Sequence, residues 1–194
     1  MTMMFQTDEA LTSPACVPLT RVQPVHSRPS IDIETMRAAW QVTEHFFGAL
    51  QRHDVDALVR FYAHEAEFFH PLLGRLTQLQ VSAAWRRFVQ LTPDLSVRFR
   101  IEQVGPGAAE ASWTQSYLFH LTGRRVSVSG TSQFLLGRQG GRLQIIKQID
   151  QCDRRQWSRQ ALGMKGLLLS FVPGWRTFVE NELRLTLDVP HHAG

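Results

Sequence analysis

Three consecutive β-strand patterns separated by two glycine turns dominate the chain from Glu110 to Asp153. Period-two alternation, β-branched and aromatic side chains and glycine at each break are the signals of antiparallel hairpins. Gly130, inside the second strand, predicts a bend or the close approach of another segment. The sequence therefore predicts a three-stranded meander at the centre of the fold, with its strands at Ser112–Thr122, Arg125–Leu136 and Arg142–Asp150.

The chain before the meander is mainly helical in its periodicity. Apolar residues at intervals of three and four predict helices from Ser30 to about Arg52, Val55 to Tyr62 and about Gln78 to Leu91. The segment Ala66–His70 reads as extended and ends before a proline, and Leu95–Glu102 alternates like a half-buried strand. A run of helices followed by a run of strands predicts an α+β fold.

Composition limits what such a fold can be. The 194 residues are 43% hydrophobic and 20% charged, which predicts one globular domain with appendages. The net charge of +4 is spread over single arginines and short pairs, so we expect no nucleic-acid partner. The spacing of Cys16 and Cys152 fits neither a disulfide framework nor a metal site, and no signal peptide or membrane span is evident. We therefore expect a cytoplasmic protein without a metal.

The same patterns suggest three regions. Four prolines between residues 14 and 29 predict a flexible N-terminal arm at residues 1–30. The predicted folded domain covers residues 31–156, and residues 157–194 form a helical extension that ends in an amphipathic helix, Trp175–Leu187. Docking of this extension on its own domain or on a partner subunit is one interpretation. Shallow insertion at a membrane surface is the alternative.

Two segments, Phe46–Val55 and Phe61–Pro71, combine a helix, a turn with Asp, a second helix and a strand that ends in His before Pro. This order resembles the opening of the nuclear transport factor 2-like (SnoaL-like) superfamily, and the tail resembles uncharacterised bacterial members. The resemblance covers roughly residues 34–160. It implies a cone-shaped curved antiparallel sheet wrapped around three N-terminal helices, with an apolar pocket for a small hydrophobic molecule.

The resemblance also implies a homodimer through the outer face of the sheet, although a solvated face is the competing interpretation. The polar residues predicted on that face are Arg98, Arg100, Glu102, Ser127, Ser129 and Thr131.

The resemblance implies that His70 stands where ketosteroid isomerases of this superfamily carry an Asp base, and Asp150 ends the last meander strand. If Asp150 accepts a hydrogen bond from one ring nitrogen of His70, the other nitrogen becomes a better base. Alternatively, His70 caps a turn, and Asp150 pairs with Arg142 or Arg154. The other residues that the resemblance places at the pocket are Phe46, Tyr62, Trp85, Trp113, Gln115, Tyr117, Phe119, Ser132, Phe134, Ile146 and Gln148.

These residues predict a cofactor-independent isomerase, dehydratase or cyclase that uses His70 and Asp150, with Tyr117 or Gln115 holding a substrate carbonyl. Phe46 and Ser132 replace the Tyr and Asp oxyanion donors of ketosteroid isomerase, which argues against that enzyme's own mechanism. A non-catalytic ligand-binding protein and a dimeric interaction module remain alternatives. Gln115 and Gln148 can also bridge each other as a buried amide pair. His120 lies on the opposite parity from Tyr117 and is predicted to face a neighbour or a dimer interface.

Overall fold

The computed structural model describes residues 29–169 of the chain, and the side chains of residues 33–163. Within the described range the chain forms four helices and six strands. Most of the predicted N-terminal arm and the whole predicted helix Trp175–Leu187 lie outside the described residues. The two interpretations of the C-terminal segment after Leu169 therefore stay predictions.

Two of the helices begin where the sequence supplies capping groups. Helix α1 is Pro29–Gln51, α2 is Val55–Val59, α3 is Gln78–Leu91 and α4 is Arg154–Leu169. The Asp54 carboxylate accepts the Ala57 N–H at 2.9 Å and so caps α2. Helix α3 begins with a capping box between Thr77 and Gln80.

The strands form one mixed sheet in the order β2-β1-β6-β5-β4-β3. Neighbouring strands are antiparallel except for β1 and β6, which run parallel, so the expectation of a fully antiparallel sheet is wrong at this pair. Helix α3 and strands β3 to β5 separate β1 from β6 along the chain, and no hairpin turn fixes their relative direction. The strand bounds are β1 Tyr62–His70, β2 Gly74–Thr77, β3 Ser96–Gly105, β4 Ala108–Phe119, β5 Arg124–Gln139 and β6 Arg142–Cys152.

Two elements differ from their prediction. Helix α2 ends at Val59, and Tyr62 begins β1 instead of closing the helix. Strand β2, at Gly74–Thr77, was not predicted; it pairs with β1 through Phe68 and Leu76. The predicted bounds of α3 match the structure at both ends.

The concave side of the sheet packs on the helices and forms the core. Phe46 and Phe47 of α1 are each 1% exposed, and both rings meet Phe134 of β5 edge to face. Strands β4 and β5 alternate between buried and exposed residues as predicted. Strand β6 does not, because a bulge opposite Leu135 and Leu136 shifts its register.

The β6 bulge corrects one predicted side-chain direction. Ile145 is fully buried, whereas Ile146 is only partly buried and lies against Gly137 instead of the cavity. The alternation resumes after the bulge, with Gln148 1% and Asp150 9% exposed. The resulting architecture is an α+β fold with a curved, open mixed sheet. No helix among residues 29–169 is long and apolar enough to cross a membrane.

Candidate functional site

A cavity of about 100 Å³ lies between α3 and the concave side of the sheet. Strands β1, β4 and β6 supply His70, Tyr117 and Asp150 to its wall, and Trp157 of α4 lies at the cavity as well. Most of the remaining wall is aromatic or aliphatic. Of the residues predicted for the pocket, those that line it are His70, Trp85, Trp113, Gln115, Tyr117, Phe119 and Asp150.

The other predicted pocket residues lie outside the cavity wall. Phe46 and Phe134 belong to the core beneath the sheet, and Ile146 is displaced by the β6 bulge. Tyr62, Ser132 and Gln148 are buried polar residues behind Asp150, and they act on its carboxylate.

Asp150 presents one free carboxylate oxygen to the cavity. Its Oδ1 accepts the Ser132 hydroxyl at 2.6 Å and the Gln148 amide at 2.8 Å, and its Oδ2 accepts neither. Because no buried side-chain polar atom in the described residues lacks a hydrogen-bond partner, Oδ2 must be the accessible atom. Burial raises the pKa of Asp150 to about 7, against the opposing effect of the two hydrogen bonds.

A chain of buried hydrogen bonds supports Asp150 from one side. The Trp85 indole N–H donates to the Tyr62 hydroxyl at 3.1 Å, and that hydroxyl donates to the Gln148 carbonyl at 2.5 Å. The amide group of Gln148 then donates to Asp150. The hydrogen bonds therefore run in one direction along the chain and end at Oδ1, which fixes the orientation of the Gln148 amide and of the carboxylate. Gln148 is not paired with Gln115.

A second chain reaches Asp150 through Trp113. Its indole N–H donates to the Ser132 hydroxyl at 2.9 Å, and Ser132 directs its own proton towards Asp150. The Trp113 ring lies against Gly130, where an added Cβ atom would come within 2.6 Å of the ring and 2.3 Å of the Gln151 carbonyl oxygen. The close approach predicted at Gly130 is therefore confirmed.

His70 caps a turn through one ring nitrogen and leaves the other accessible. Its Nδ1 accepts the Leu72 backbone N–H at 3.2 Å, so the proton of the neutral ring lies on Nε2. Burial lowers the pKa of His70 to about 4, which keeps the ring neutral near pH 7. With its proton on Nε2, the ring presents a hydrogen-bond donor to the cavity and not a base.

His70 and Asp150 are neighbours without a mutual hydrogen bond. Phe68 pairs with Gln148 and Phe69 with Ile149, so the next step along these parallel strands brings the two residues side by side. Nevertheless, no hydrogen bond joins them in the described part of the chain, and Asp150 forms no ion pair with Arg142 or Arg154 there. The polarisation of His70 by Asp150 expected from the sequence is absent.

Further polar groups complete the cavity. The Tyr117 hydroxyl accepts the Trp157 indole N–H at 2.9 Å, and burial raises the pKa of Tyr117 to about 12. Gln115 lies on the same wall of β4. Cys152 also lines the cavity, but burial raises the pKa of its thiol to about 11, so it is protonated at neutral pH and a poor nucleophile.

Sequence reasoning missed several residues at the cavity, among them His120, Cys152 and Trp157. His120 was predicted to face a neighbour or a dimer interface; β4 ends at Phe119, and the exposed His120 lies at the cavity instead. Cys152 follows Asp150 by two residues, so the alternation of β6 could have identified it. Trp157 and Ala161 are one helical turn apart and both buried. This apolar spacing in the sequence could have identified Trp157 as part of the inner face of α4.

None of the described groups of His, Cys, Asp and Glu is arranged to hold a metal ion. The polar groups at the cavity are instead suited to hydrogen bonding and proton transfer. They combine an accessible carboxylate oxygen, a neutral imidazole N–H and a phenol in apolar surroundings.

The curved mixed sheet, the N-terminal helices and the cavity between them define an α+β cone of the nuclear transport factor 2-like class. The SnoaL-like domain family matches residues 43–144, more than half of the chain. The protein therefore belongs to the SnoaL-like domain family. No curated protein matches its sequence.

Solved structures with the same fold are distant in sequence. A ketosteroid isomerase-like protein from Erwinia carotovora atroseptica is 13% identical with a TM-score of 0.53, covering 61% of this chain and 96% of its own. A putative polyketide cyclase from Xanthomonas campestris pv. campestris is 16% identical with a TM-score of 0.53, covering 66% and 98%. A putative polyketide cyclase from Pseudomonas putida KT2440 is 14% identical with a TM-score of 0.52, covering 63% and 97%. At these identities the likeness concerns the fold alone.

Proposed function

We propose that the protein binds a small, mainly apolar carbonyl compound in this cavity and transfers protons on it without a cofactor, as an isomerase, dehydratase or cyclase. The observation that carries the proposal is that the Asp150 carboxylate, with its Oδ2 free, and the neutral His70 ring both line the same apolar cavity. A concave apolar site with few polar groups and perturbed pKa values is typical of such chemistry.

Asp150 is the proton acceptor in this proposal. Its pKa of about 7 makes the carboxylate both available and sufficiently basic at neutral pH. Oδ2 takes a proton from the carbon next to the substrate carbonyl, and the C–H electron pair forms the enolate double bond. The carbonyl oxygen gains the charge and accepts a hydrogen bond from His70 Nε2–H. This exchanges the roles that sequence reasoning gave the two residues, because His70 acts as a donor and not as the base.

The three reactions differ only in the fate of the enolate. Return of the proton from Asp150 to another carbon gives isomerisation. Protonation and departure of a β-hydroxyl as water gives dehydration, and attack of the enolate carbon on a second carbonyl gives cyclisation. Each step balances with the proton that Asp150 already holds, and none requires an oxidant or a reductant.

The cavity volume limits the substrate. A closed cavity of about 150 Å³ holds one benzene molecule, and the cavity here has about 100 Å³ and an open mouth. A single ring fits with part of it in the mouth. A fused steroid does not fit without rearrangement of the walls.

Binding without turnover is the second candidate. It is favoured by the dense aromatic wall, where Trp85 stacks on Phe68 and meets Phe88 edge to face, since such a wall holds an apolar ligand without any reaction. Proton transfer from a bound ketone separates the two candidates.

The test is the exchange of the α-protons of cyclohexanone for deuterium in D₂O, followed by NMR, because all three reactions begin with this proton transfer. We expect the protein to accelerate exchange and Asp150→Asn to lower the acceleration by about 100-fold or more. Asn keeps an oxygen for Ser132 and Gln148 and replaces only the cavity-facing oxygen. Asp56→Asn, which removes a carboxylate with 68% side-chain exposure, is the matched control and should leave exchange unchanged.

The pH dependence and a second variant refine the result. Exchange should rise with the ionised fraction of Asp150, with a midpoint near pH 7. His70→Asn, which keeps an acceptor for Leu72 N–H but loses the cavity-facing donor, should slow exchange less than Asp150→Asn does. If the wild-type protein binds cyclohexanone but exchanges its α-protons no faster than Asp150→Asn does, catalysis is rejected. Binding without turnover then remains as the function.

A further inference from the structure

Helix α4 is fastened to the hairpin between β4 and β5 by specific polar contacts. The Thr122 hydroxyl donates to the Ala161 carbonyl at 2.6 Å, and the Arg124 guanidinium donates to the Gln160 carbonyl at 2.8 Å. The Gln160 side chain in turn accepts the Ser127 backbone N–H at 2.5 Å. These contacts tie consecutive carbonyls of the helix to the strands that carry the cavity wall, so α4 has a fixed position over that wall.

Trp157 carries this helix into the cavity. Its side chain is 3% exposed and lines the cavity, and its ring meets Phe119 edge to face at 5.4 Å. Its indole N–H donates to the Tyr117 hydroxyl at 2.9 Å. Indole nitrogen can only donate, so Tyr117 must be the acceptor in this pair.

The Tyr117 hydroxyl hydrogen is left free by this arrangement. The phenol oxygen accepts from Trp157, and within the described residues no protein group accepts from the phenol. The raised pKa of Tyr117, about 12, keeps this hydrogen on the oxygen at any pH near neutrality. Because Trp157 occupies one lone pair, the remaining directions of the hydroxyl, including that of its hydrogen, lie on the side away from the indole.

We propose that Trp157 makes helix α4 part of the binding site: it closes one end of the cavity and orients the Tyr117 hydroxyl to donate to an acceptor oxygen of the ligand. Tyr117 touches the ligand, and Trp157 is a positioning residue that acts through it. This inference rests on ligand binding in the cavity, the first part of the proposed function, and does not need turnover. Helix α4 lies outside residues 43–144, so the residue that positions the Tyr117 hydroxyl comes from beyond the matched family segment.

Two probes of similar size separate hydrogen bonding from packing. Cyclohexanone offers an acceptor oxygen, and methylenecyclohexane has the same shape without one. Binding of each is measured by NMR titration to the full chain and to Trp157→Phe, which keeps an aromatic ring but loses the N–H. We expect Trp157→Phe to weaken the binding of cyclohexanone by about 2- to 10-fold, which is the effect of one neutral hydrogen bond. The binding of methylenecyclohexane should stay unchanged.

Tyr117→Phe and the double variant test whether Trp157 acts through Tyr117. Tyr117→Phe should weaken the binding of cyclohexanone at least as much as Trp157→Phe does. Adding Trp157→Phe to it should then have no further effect, since the hydroxyl to be oriented is gone. Equal weakening of both probes by Trp157→Phe, or independent effects of the two substitutions, would overturn the positioning role.

Trp157→Ala tests the closure of the cavity. It should admit 4-phenylcyclohexanone, which we expect the wild-type cavity to exclude, while urea unfolding confirms that the variant is folded. If Trp157→Ala does not fold, Trp157→Leu provides the smaller side chain for the same comparison. Unchanged exclusion of the longer ketone in the folded variant would overturn the closure.

Failure of this inference is distinguishable from failure of the proposed catalysis. The expected binding pattern without α-proton exchange rejects turnover and leaves the inference intact. Exchange that depends on Asp150 but not on Trp157 or Tyr117 leaves the catalytic proposal intact and overturns the inference. Absence of cyclohexanone binding to the wild-type protein overturns both.

Discussion

Asp150→Asn should change the pH dependence of stability in a direction set by burial. The pKa of Asp150 is about 7 in the folded protein and 3.8 when the residue is unperturbed. Between these values the folded state holds a proton that the unfolded state has lost. The Asp150 contribution to the free energy of unfolding therefore decreases as pH rises from about 4 to 7. The asparagine side chain of the variant does not titrate, so the variant lacks this decrease.

The magnitude comes from the same two pKa values. A fully developed difference of one bound proton changes the free energy of unfolding by about 1.4 kcal/mol per pH unit. Across the interval of about three units, the variant should gain about 4 kcal/mol relative to the wild type between pH 4 and pH 7. Asn also keeps an oxygen for Ser132 and Gln148, so little of this difference comes from lost hydrogen bonds.

His70→Asn provides an internal check with the opposite sign. Burial lowers the pKa of His70 from 6.5 to about 4, so the unfolded state binds the extra proton in this interval. The His70 contribution to stability is present above about pH 6.5 and decreases as pH falls towards 4. The difference between His70→Asn and the wild type should therefore decrease with rising pH. Because the pKa of His70 is shifted less than that of Asp150, the total change is the smaller of the two.

Urea unfolding followed by circular dichroism at half-unit pH steps from about 4.5 to about 7.5 measures both differences across the interval in which the two groups titrate. Subtracting the wild-type curve at each pH removes the titration of all other groups. Slopes of opposite sign for the two variants support the assigned environments. If the difference in free energy of unfolding between Asp150→Asn and the wild type stays flat or falls with rising pH, the assigned environments are refuted. Such a result requires that the Asp150 carboxyl is already ionised near pH 4 in the folded protein.

Two further substitutions test the groups around the site. Tyr62→Phe leaves the buried Trp85 N–H and the Gln148 carbonyl without their shared partner. We expect the free energy of unfolding, measured with urea, to fall by about 2–4 kcal/mol. A fall below about 0.5 kcal/mol would contradict the network. Gly130→Ala should cost about 1–3 kcal/mol or more, since its Cβ meets a carbonyl oxygen at 2.3 Å. Gly105→Ala, with nothing within 4 Å of the added Cβ, is its control, and equal effects of the two would contradict the packing.

The meander was predictable because local sequence determines it. Gly123, Gly140 and Gly141 all have positive φ, between 55° and 79°, in the hairpin turns, where other residues are strained. The alternation of β4 and β5 then fixes which face is buried. Trp113, Tyr117 and Phe119 consequently face inward, in agreement with the sequence pattern.

Features that depend on distant parts of the chain were not predictable in this way. The β6 bulge arises from pairing with Leu135 and Leu136, and one extra residue reverses the direction of every side chain before it. The hydrogen-bond partners of Asp150 also depend on distant parts of the chain. Tyr62, Ser132 and Gln148 share no local motif and meet only after β1, β5 and β6 have paired.

The expected His70–Asp150 hydrogen bond would have produced a different site. A direct pair stabilises the charged forms, raising the pKa of the imidazole and lowering that of the carboxyl, and it would make the histidine a cation near neutrality. In the structure each group is instead satisfied by uncharged partners, the Leu72 N–H for His70 and Ser132 with Gln148 for Asp150. Burial then acts on each group separately and moves the two pKa values in the opposite directions. The cavity thereby gains a base that titrates near pH 7 and a neutral donor that does not compete for its proton, which is the division of roles that enolisation requires.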